Sequence, residues 1–257
     1  NIWATSQLFN GLIQVDENLA VKPSIAKSWS NSEDGKTFTF ILRNDVYFQD
    51  DELFANGKGR KVVAQDFVYS FNRIIDKKVA STGAWIFNGK VVEENPFKAL
   101  NDSTFQIELS QAFRPIMGIL SMPYCFVVPK EIVVHYGKDF RAHPIGTGPF
   151  KLKVWEEGTA LVALKNENYF EKENENQLPY LDGFKVTFIE NKKMEFLNFM
   201  KGDLDMISGV DKSFLNQIFD VDGNLNSEYA SKIELYKKPY LNTEYLGIKY
   251  HGNTSPL

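Results

Sequence analysis

The sequence predicts an α/β protein, of the α+β kind with mixed sheets, and three observations support this class. Residues 37–42 alternate between apolar and polar side chains, as a half-buried strand does. Residues 64–76 carry apolar side chains at helical spacing. Residues 184–189 read as a strand and are followed directly by a helical pattern at 192–200. Hairpins and strand–helix units within one chain are typical of this class.

The composition excludes several classes of protein. Of the 257 residues, 43% are hydrophobic and 24% are charged, which indicates a folded globular protein and not a disordered one. The net charge of −4 gives no indication of a nucleic acid or an anionic membrane as partner. No apolar run reaches the roughly 20 residues needed to span a bilayer, and the first residues lack the basic start of a signal peptide.

The first half of the chain is predicted to contain a hairpin and one long helix. Phe38, Phe40 and Leu42 share one face of the strand at 37–42, and a turn at 43–45 is expected to lead into its hairpin partner at 46–48. The long helix presents an apolar stripe along residues 64–76. The predicted elements are helices at 1–12, 64–76 and 115–120, and strands at 37–42, 46–48 and 105–109.

The second half is predicted to alternate strands and helices after a glycine-rich turn at 145–150. The helix at 192–200 is expected to carry Met194, Leu197 and Met200 on one face and to end at Gly202. The predicted elements are strands at 151–155, 161–164, 184–189, 204–206 and 233–236, and helices at 192–200 and 213–219, with a solvated loop at 171–177.

No group of residues predicts catalysis, a metal or a cofactor. The three histidines, His135, His143 and His251, have no second ligand at metal-binding spacing. The Gly-Thr-Gly at 146–148 lacks the lysine of a phosphate-binding loop and is interpreted as a tight turn. A Ser/His/Asp set remains open, although no Gly-x-Ser-x-Gly elbow occurs. The single cysteine, Cys125, excludes an intramolecular disulfide and is predicted to be buried and inert.

A series of short motifs resembles the first half of the family 5 extracellular solute-binding proteins. These are the oligopeptide, dipeptide and nickel binding proteins of ABC importers. The motifs keep the family's order and spacing over nearly the whole chain. They lie at residues 8–12, 23–29, 34–43, 46–48, 64–73, 127–131, 146–152, 202–206 and 242–246.

The sequence also departs from the family pattern. Val63 stands where the family usually has a threonine N-cap, so a hydroxyl acceptor for the first-turn N–H groups is lost. Asp45 replaces a common hairpin glycine. Family members are about twice as long as this chain, so we expect one wall of the binding cleft to be present and the opposing wall to be absent.

The resemblance implies a fold of the type II periplasmic-binding-protein kind, in which two lobes close over a ligand. Residues 10–128 would form an additional inserted α+β domain. Residues 1–9 and 129–236 would form the first lobe. Residues 237–257 would be a hinge segment that crosses toward a second lobe missing from this chain.

The same resemblance implies the solute-binding component of an ABC importer. Such a protein would capture an oligopeptide-like solute outside the cytoplasmic membrane and deliver it to permease subunits. It would be a periplasmic or extracytoplasmic monomer, anchored in some cases through an N-terminal lipid absent from this sequence, with no cofactor, no catalytic residue and no nucleic-acid partner. The alternatives are a hydrolytic enzyme, or a chaperone or sensor, on the same scaffold.

When the family's ligand-contacting positions are transferred one by one to this sequence, the resemblance implies a small set of contact residues. Main-chain pairing with an extended ligand would leave side-chain pockets broad in selectivity. A plain loop and two core tyrosines are the alternative interpretation, and Gly247 stands where peptide binders can carry an acidic residue. The candidates are Gly83, Trp85, Ser208, Gly209, Val210, Tyr240 and Tyr245.

Overall fold

The structure is a computed structural model that describes residues 2–237 and residue 246. It divides into two compact units, Asn1–Phe188 and Ile189–Leu257. The hinge segment predicted at 237–257 lies almost entirely outside the described residues, as do Tyr240, Tyr245, Gly247 and His251. Helices and antiparallel sheets occur together, which confirms the predicted α/β class with mixed elements.

The first unit contains four α-helices and eleven strands among the described residues. The helices are α1 (Ile2–Leu8), α2 (Ala64–Ile75), α3 (Ile116–Leu120) and α4 (Lys130–Tyr136). The strands are β1 (Ile13–Val15), β2 (Val21–Pro23), β3 (Ala26–Asn31), β4 (Thr37–Leu42), β5 (Phe97–Asn101), β6 (Thr104–Glu108), β7 (Phe150–Glu156), β8 (Ala160–Lys165), β9 (Lys172–Glu173), β10 (Asn176–Gln177) and β11 (Gly183–Thr187).

The main core of this unit lies between α2 and a four-stranded antiparallel sheet of order β3-β4-β6-β5. Phe40 of β4 is directly opposite Phe105 of β6, and both side chains are fully buried. On the helix side, the ring centroid of Phe71 lies 5.4 Å from those of Phe97 and Phe105. Each fully buried ring of this kind stabilises the fold by about 1.5–3 kcal/mol relative to an exposed one. The predicted apolar face of β4 is confirmed, because every second residue of the strand is buried.

The hairpin predicted at 37–42 and 46–48 is wrong. Strand β4 is a central strand whose two edges are taken by β3 and β6. Tyr47 instead forms an isolated bridge with Lys61. The turn between them is held by Asp45, whose carboxylate accepts hydrogen bonds from the Arg43 guanidinium at 2.9 and 2.7 Å. Alternation predicts that a segment is a strand, but it does not identify the strand's partners.

Helix α2 begins at Val63 without a side-chain acceptor from that residue. Two other acceptors bind N–H groups at the start of the helix. The Asp66 carboxylate accepts from the Val63 N–H at 2.9 Å, and the Asp102 carbonyl accepts from the Ala64 N–H at 2.8 Å. The buried carboxylate in the first turn also faces the positive end of the helix dipole. Two N–H groups at the start of the helix are therefore satisfied without the hydroxyl.

A second, three-stranded antiparallel sheet of order β11-β8-β7 follows the glycine-rich turn. It buries Phe150, Leu161 and Ala163, with Trp155 and Phe184 half-buried beside them. The segment predicted as a solvated loop at 171–177 forms the short exposed hairpin of β9 and β10. Strands β3 and β5 and helix α4 have no counterpart among the sequence-based predictions.

The described part of the second unit contains α5 (Lys192–Lys201), α6 (Leu215–Ile218) and α7 (Ser227–Ala230) around Phe196, Ile218 and Tyr229. Helix α5 ends at Gly202 with φ +83°, as predicted. The face with Met194 and Leu197 is exposed, and Phe196 is the buried residue of the helix.

The short strands predicted at 204–206 and 233–236 are also wrong, since neither segment is a strand in the described chain. Helix α5 has large apolar side chains on more than one side. Helical spacing alone therefore did not determine which side is covered.

Candidate functional site

The predicted contact residues of the first unit lie in a single tight turn. Residues Ala84–Ile86 form one turn of 3-10 helix, preceded by Gly83, whose N–H donates to Ser81 Oγ at 3.1 Å. A Cβ atom on Gly83 would lie 2.5 Å from Cδ1 of Tyr124. A side chain at position 83 would therefore require the Tyr124 ring to move, so the turn and the ring lie in direct contact.

The indole of Trp85 projects from this turn and is 53% exposed. Lys90 Nζ donates to the Trp85 carbonyl at 2.7 Å and lies 5.9 Å from the ring centroids of both Trp85 and Phe113. An exposed aromatic face beside an ammonium group can stack on an apolar or planar group of a ligand. The hydrogen bond from Lys90 to the Trp85 carbonyl holds the ammonium group beside the indole.

The predicted contact residues of the second unit lie in the loop after α5. Ser208 and Gly209 are exposed, and Gly209 has φ +77°, where other L-residues are strained. Val210 is half-buried against the cluster around Phe196. The carbonyl of Ser208 accepts from Lys192 Nζ at 3.2 Å.

The backbone of this loop has few internal partners. Within residues 2–237, the N–H groups at 207–210 donate to no backbone carbonyl. Strand-like recognition of a ligand's main chain uses such unpaired groups. The structure thus brings Ser208, Gly209 and Val210 together in one loop and Gly83 and Trp85 together in one turn.

A buried polar network holds the glycine-rich turn at 146–150, and the sequence interpretation did not find it. Thr147 is 1% exposed, and its hydroxyl donates to Asn10 Oδ1 at 3.0 Å. Asn10 Nδ2 in turn donates to the Tyr169 hydroxyl at 3.3 Å. Asn166 Nδ2 donates to the Gly148 carbonyl at 2.9 Å. We call these four side chains, together with Gln49, the polar hub.

Gln49 connects the hub to strand β7. Its Nε2 donates to the carbonyls of Phe150 at 2.8 Å and Gly148 at 3.3 Å, and its backbone N–H donates to the Gly146 carbonyl at 2.9 Å. A Cβ atom on Gly146 would lie 2.1 Å from the Leu8 carbonyl oxygen, so the turn lies directly against the end of α1. The interpretation of Gly146 and Gly148 as a tight turn is confirmed, and the contact explains why both residues are glycine.

The cysteine, the buried Tyr169 and two of the histidines pack against other parts of the described chain. The Cys125 thiol is fully buried and donates to the Ile119 carbonyl at 3.4 Å, and burial raises its pKa well above the usual range. Burial likewise raises the pKa of the Tyr169 hydroxyl. His143 stacks on Tyr136 with ring centroids 4.0 Å apart, and His135 packs against the edge of the same ring.

Within the described ranges, no cluster of three or more His, Cys, Asp or Glu side chains could hold a metal ion. The acidic run at 50–52 serves its own loop, since Asp50 accepts from the Gly59 N–H and Lys58 Nζ, and Asp51 accepts from the Leu53 N–H. None of the described helices has the length and apolar character needed to cross a membrane.

Comparisons with known proteins agree on one family. Residues 20–256 match the family model "Bacterial extracellular solute-binding proteins, family 5 Middle". The chain is 29% identical over 210 residues to the nickel-binding periplasmic protein of Escherichia coli, covering 81% of this chain and 37% of that protein. It is 28% identical over 258 residues to the periplasmic oligopeptide-binding protein OppA of Salmonella typhimurium, covering 94% of this chain and 43% of that protein.

A solved structure has the same fold over most of the described chain. The periplasmic binding protein DppA of Helicobacter pylori, determined in complex with the peptide STSA, superposes with a TM-score of 0.72 at 26% identity. The superposition covers 84% of this chain and 43% of that one. The chain thus spans less than half the length of each of these proteins.

Proposed function

Because this chain belongs to the family 5 bacterial extracellular solute-binding proteins, we propose that it captures an oligopeptide-like solute for an ABC importer. Its fold is that of the type II periplasmic binding proteins. The observation that carries the proposal is the family match over residues 20–256, supported by the fold shared with a peptide-bound relative.

The two candidate surfaces suit an extended ligand in different ways. The loop at 208–210 offers main-chain donors and acceptors, which bind any peptide backbone regardless of sequence. The exposed Trp85 face offers apolar contact to a side chain, with Lys90 Nζ beside it. Together with Tyr240 and Tyr245, which lie outside the described residues, these groups form our proposed set of ligand contacts.

The domain assignment is proposed on the same basis. Residues 10–128 would form the inserted domain, residues 1–9 and 129–236 the first lobe, and residues 237–257 the hinge. The proposed partners are the solute and the permease subunits, and the proposed location is outside the cytoplasmic membrane, with a lipid anchor in some settings and a monomeric state. The relatives named above are binding proteins by name, which supports binding and not turnover as the activity.

Binding measurements on the protein encoded by the complete reading frame test this proposal. Labelled tetrapeptides, nickel–histidine and free amino acids would be titrated separately. We expect saturable binding and a raised melting temperature with the peptides, because a ligand that binds only the native state stabilises it.

Substitution of the exposed indole tests the proposed surface. Trp85→Ala is expected to weaken peptide binding by about 5–10-fold, given the ~1 kcal/mol value of one aromatic contact. Tyr47→Ala removes a similarly exposed ring, 46% accessible, and serves as the matched control. Absence of peptide binding would contradict the proposed function, whereas equal effects of the two substitutions would contradict only the assignment of Trp85.

A further inference from the structure

An open cavity of about 230 Å³ lies at the surface of the first unit, beside the turn that carries Trp85. It is lined by α1, by the last turns of α2 and by the segments at 79–81 and 123–128. Its walls are mostly apolar and aromatic. The lining side chains whose chemistry bears on the choice of ligand are Phe9, Ile74, Tyr124, Phe126, Arg73 and Ser81.

The size and walls of this cavity suit one small ring. An apolar protein cavity of about 150 Å³ accepts a benzene molecule. A volume of about 230 Å³ therefore leaves room for a benzene ring and one attached polar group. Phe9 and Phe140, whose ring centroids are 6.4 Å apart at 65°, form one of the aromatic walls.

Arg73 supplies a positive charge to the cavity. Its side chain is half-buried, and its guanidinium lies 5.8 Å from the ring centroid of Tyr69. Across residues 2–237 no carboxylate lies within 4 Å of it, whereas Arg43, Arg60 and Arg141 each pair with one. A half-buried guanidinium without a counter-ion is stabilised by a bound anion, and its planar fork matches a carboxylate.

Ser81 adds a hydroxyl to the same cavity. Its oxygen accepts from the Gly83 N–H, which leaves the O–H hydrogen without an acceptor in the described part of the chain. The hydroxyl of Ser70 is committed, because it donates to the Asp66 carbonyl and accepts from the Val128 N–H. The cavity thus combines a cation and one hydroxyl donor with apolar walls.

We propose that this cavity binds a small aromatic carboxylate, with the ring between Phe9, Tyr124 and Phe126 and the carboxylate held by Arg73 and Ser81. The proposal goes beyond solute capture for an importer, and it depends only on residues of the first unit.

Titration with sodium phenylacetate, followed by calorimetry or by NMR shifts, tests the site. We expect saturable one-to-one binding. Phenylacetamide, which has the same shape without the charge, should bind at least ~10-fold more weakly, because a charge-assisted hydrogen bond is lost. Arg73→Gln should weaken phenylacetate binding by a similar factor, and Arg73→Lys by less.

The matched control is Arg114→Gln, which removes an exposed arginine away from the cavity. Circular dichroism and thermal unfolding show whether each variant is folded. Non-saturable binding, equal affinity for the acid and the amide, or equal effects of the two glutamine substitutions would each overturn the proposal. The readout is independent of peptide binding, so either proposal can fail alone.

Discussion

The two main sheets of the first unit bury their apolar side chains differently. In the four-stranded sheet, burial alternates strictly along β4 and β6, and α2 covers the buried face with Phe67 and Phe71. In the three-stranded sheet, Trp155 and Phe184 are only half-buried. An apolar cavity of about 290 Å³ lies against this second sheet.

The difference shows what a covering helix contributes. Rings that meet from helix and sheet exclude water on every side and pack at interior density. Side chains on the less covered sheet keep neighbours on fewer sides, so each forms fewer dispersion contacts. The polar hub lies where β7 begins, and it attaches the less covered sheet to the rest of the unit by hydrogen bonds.

The largest expected effect comes from replacing one buried phenylalanine by alanine in each of the two sheets. Phe105→Ala removes a ring that contacts Phe40, Phe67 and Phe71, and should lower the free energy of unfolding by about 4 kcal/mol. Phe150→Ala removes a ring that contacts Phe184 and should cost about 1–2 kcal/mol less. Chemical denaturation of both variants measures the difference, and equal costs would contradict the comparison.

An intermediate effect is expected at the hub. Thr147→Val keeps the side-chain shape but removes the donor to Asn10 Oδ1, leaving a buried amide oxygen unpaired. The expected loss is about 1–3 kcal/mol, measured by urea unfolding. Thr159→Val, at an exposed threonine in the β7–β8 turn, is the control and should change stability by less than about 0.5 kcal/mol. A hub variant as stable as the control would show that the hub is dispensable.

The smallest effect is expected from pH, on the side of the four-stranded sheet. The Arg60 guanidinium donates to Glu131 and holds the pKa of that carboxyl below its usual value. A lowered folded-state pKa contributes stability above the unfolded pKa, and this is lost as pH falls through the folded pKa. Because both side chains of the pair are partly exposed to solvent, the contribution should stay below about 1 kcal/mol.

Glu131→Gln tests this contribution by unfolding at several pH values. The variant should be less stable than the native protein near pH 7 and should match it at acidic pH, where the native carboxyl is also neutral. Glu33→Gln, at an exposed carboxylate without a cation in the described ion pairs, should show no such convergence. A constant difference across the pH range would exclude the proposed cause.

Much of the fold was predictable from local patterns. Alternation identified β4 and its buried face, helical spacing identified α2, and Gly202 marked the end of α5. Each of these signals acts over a few residues. The partners of β4 were not predictable in the same way, because pairing with β6 joins residues about 65 positions apart and the pattern of one strand does not encode its neighbour.

The candidate site shows the same limit. The resemblance to a family supplied Ser208, Gly209 and Trp85, whereas neither spacing nor composition indicated the hub. Asn10 and Thr147 are separated by 137 positions, and each is an ordinary polar residue beside a glycine in the sequence. Arg73 likewise looks like a surface charge at the end of a helix, and its position in a cavity follows from packing by α1 and the segment at 123–128.

The buried thiol of Cys125 can report transient opening of the protein interior. Its thiol is the only one in the sequence and has no contact with water in the native state. An alkylating reagent can therefore react only when the interior transiently opens, and the rate of labelling converts into the free energy of that opening. Motions of the first unit can be timed in the unmodified protein, without introducing a dye or a second cysteine.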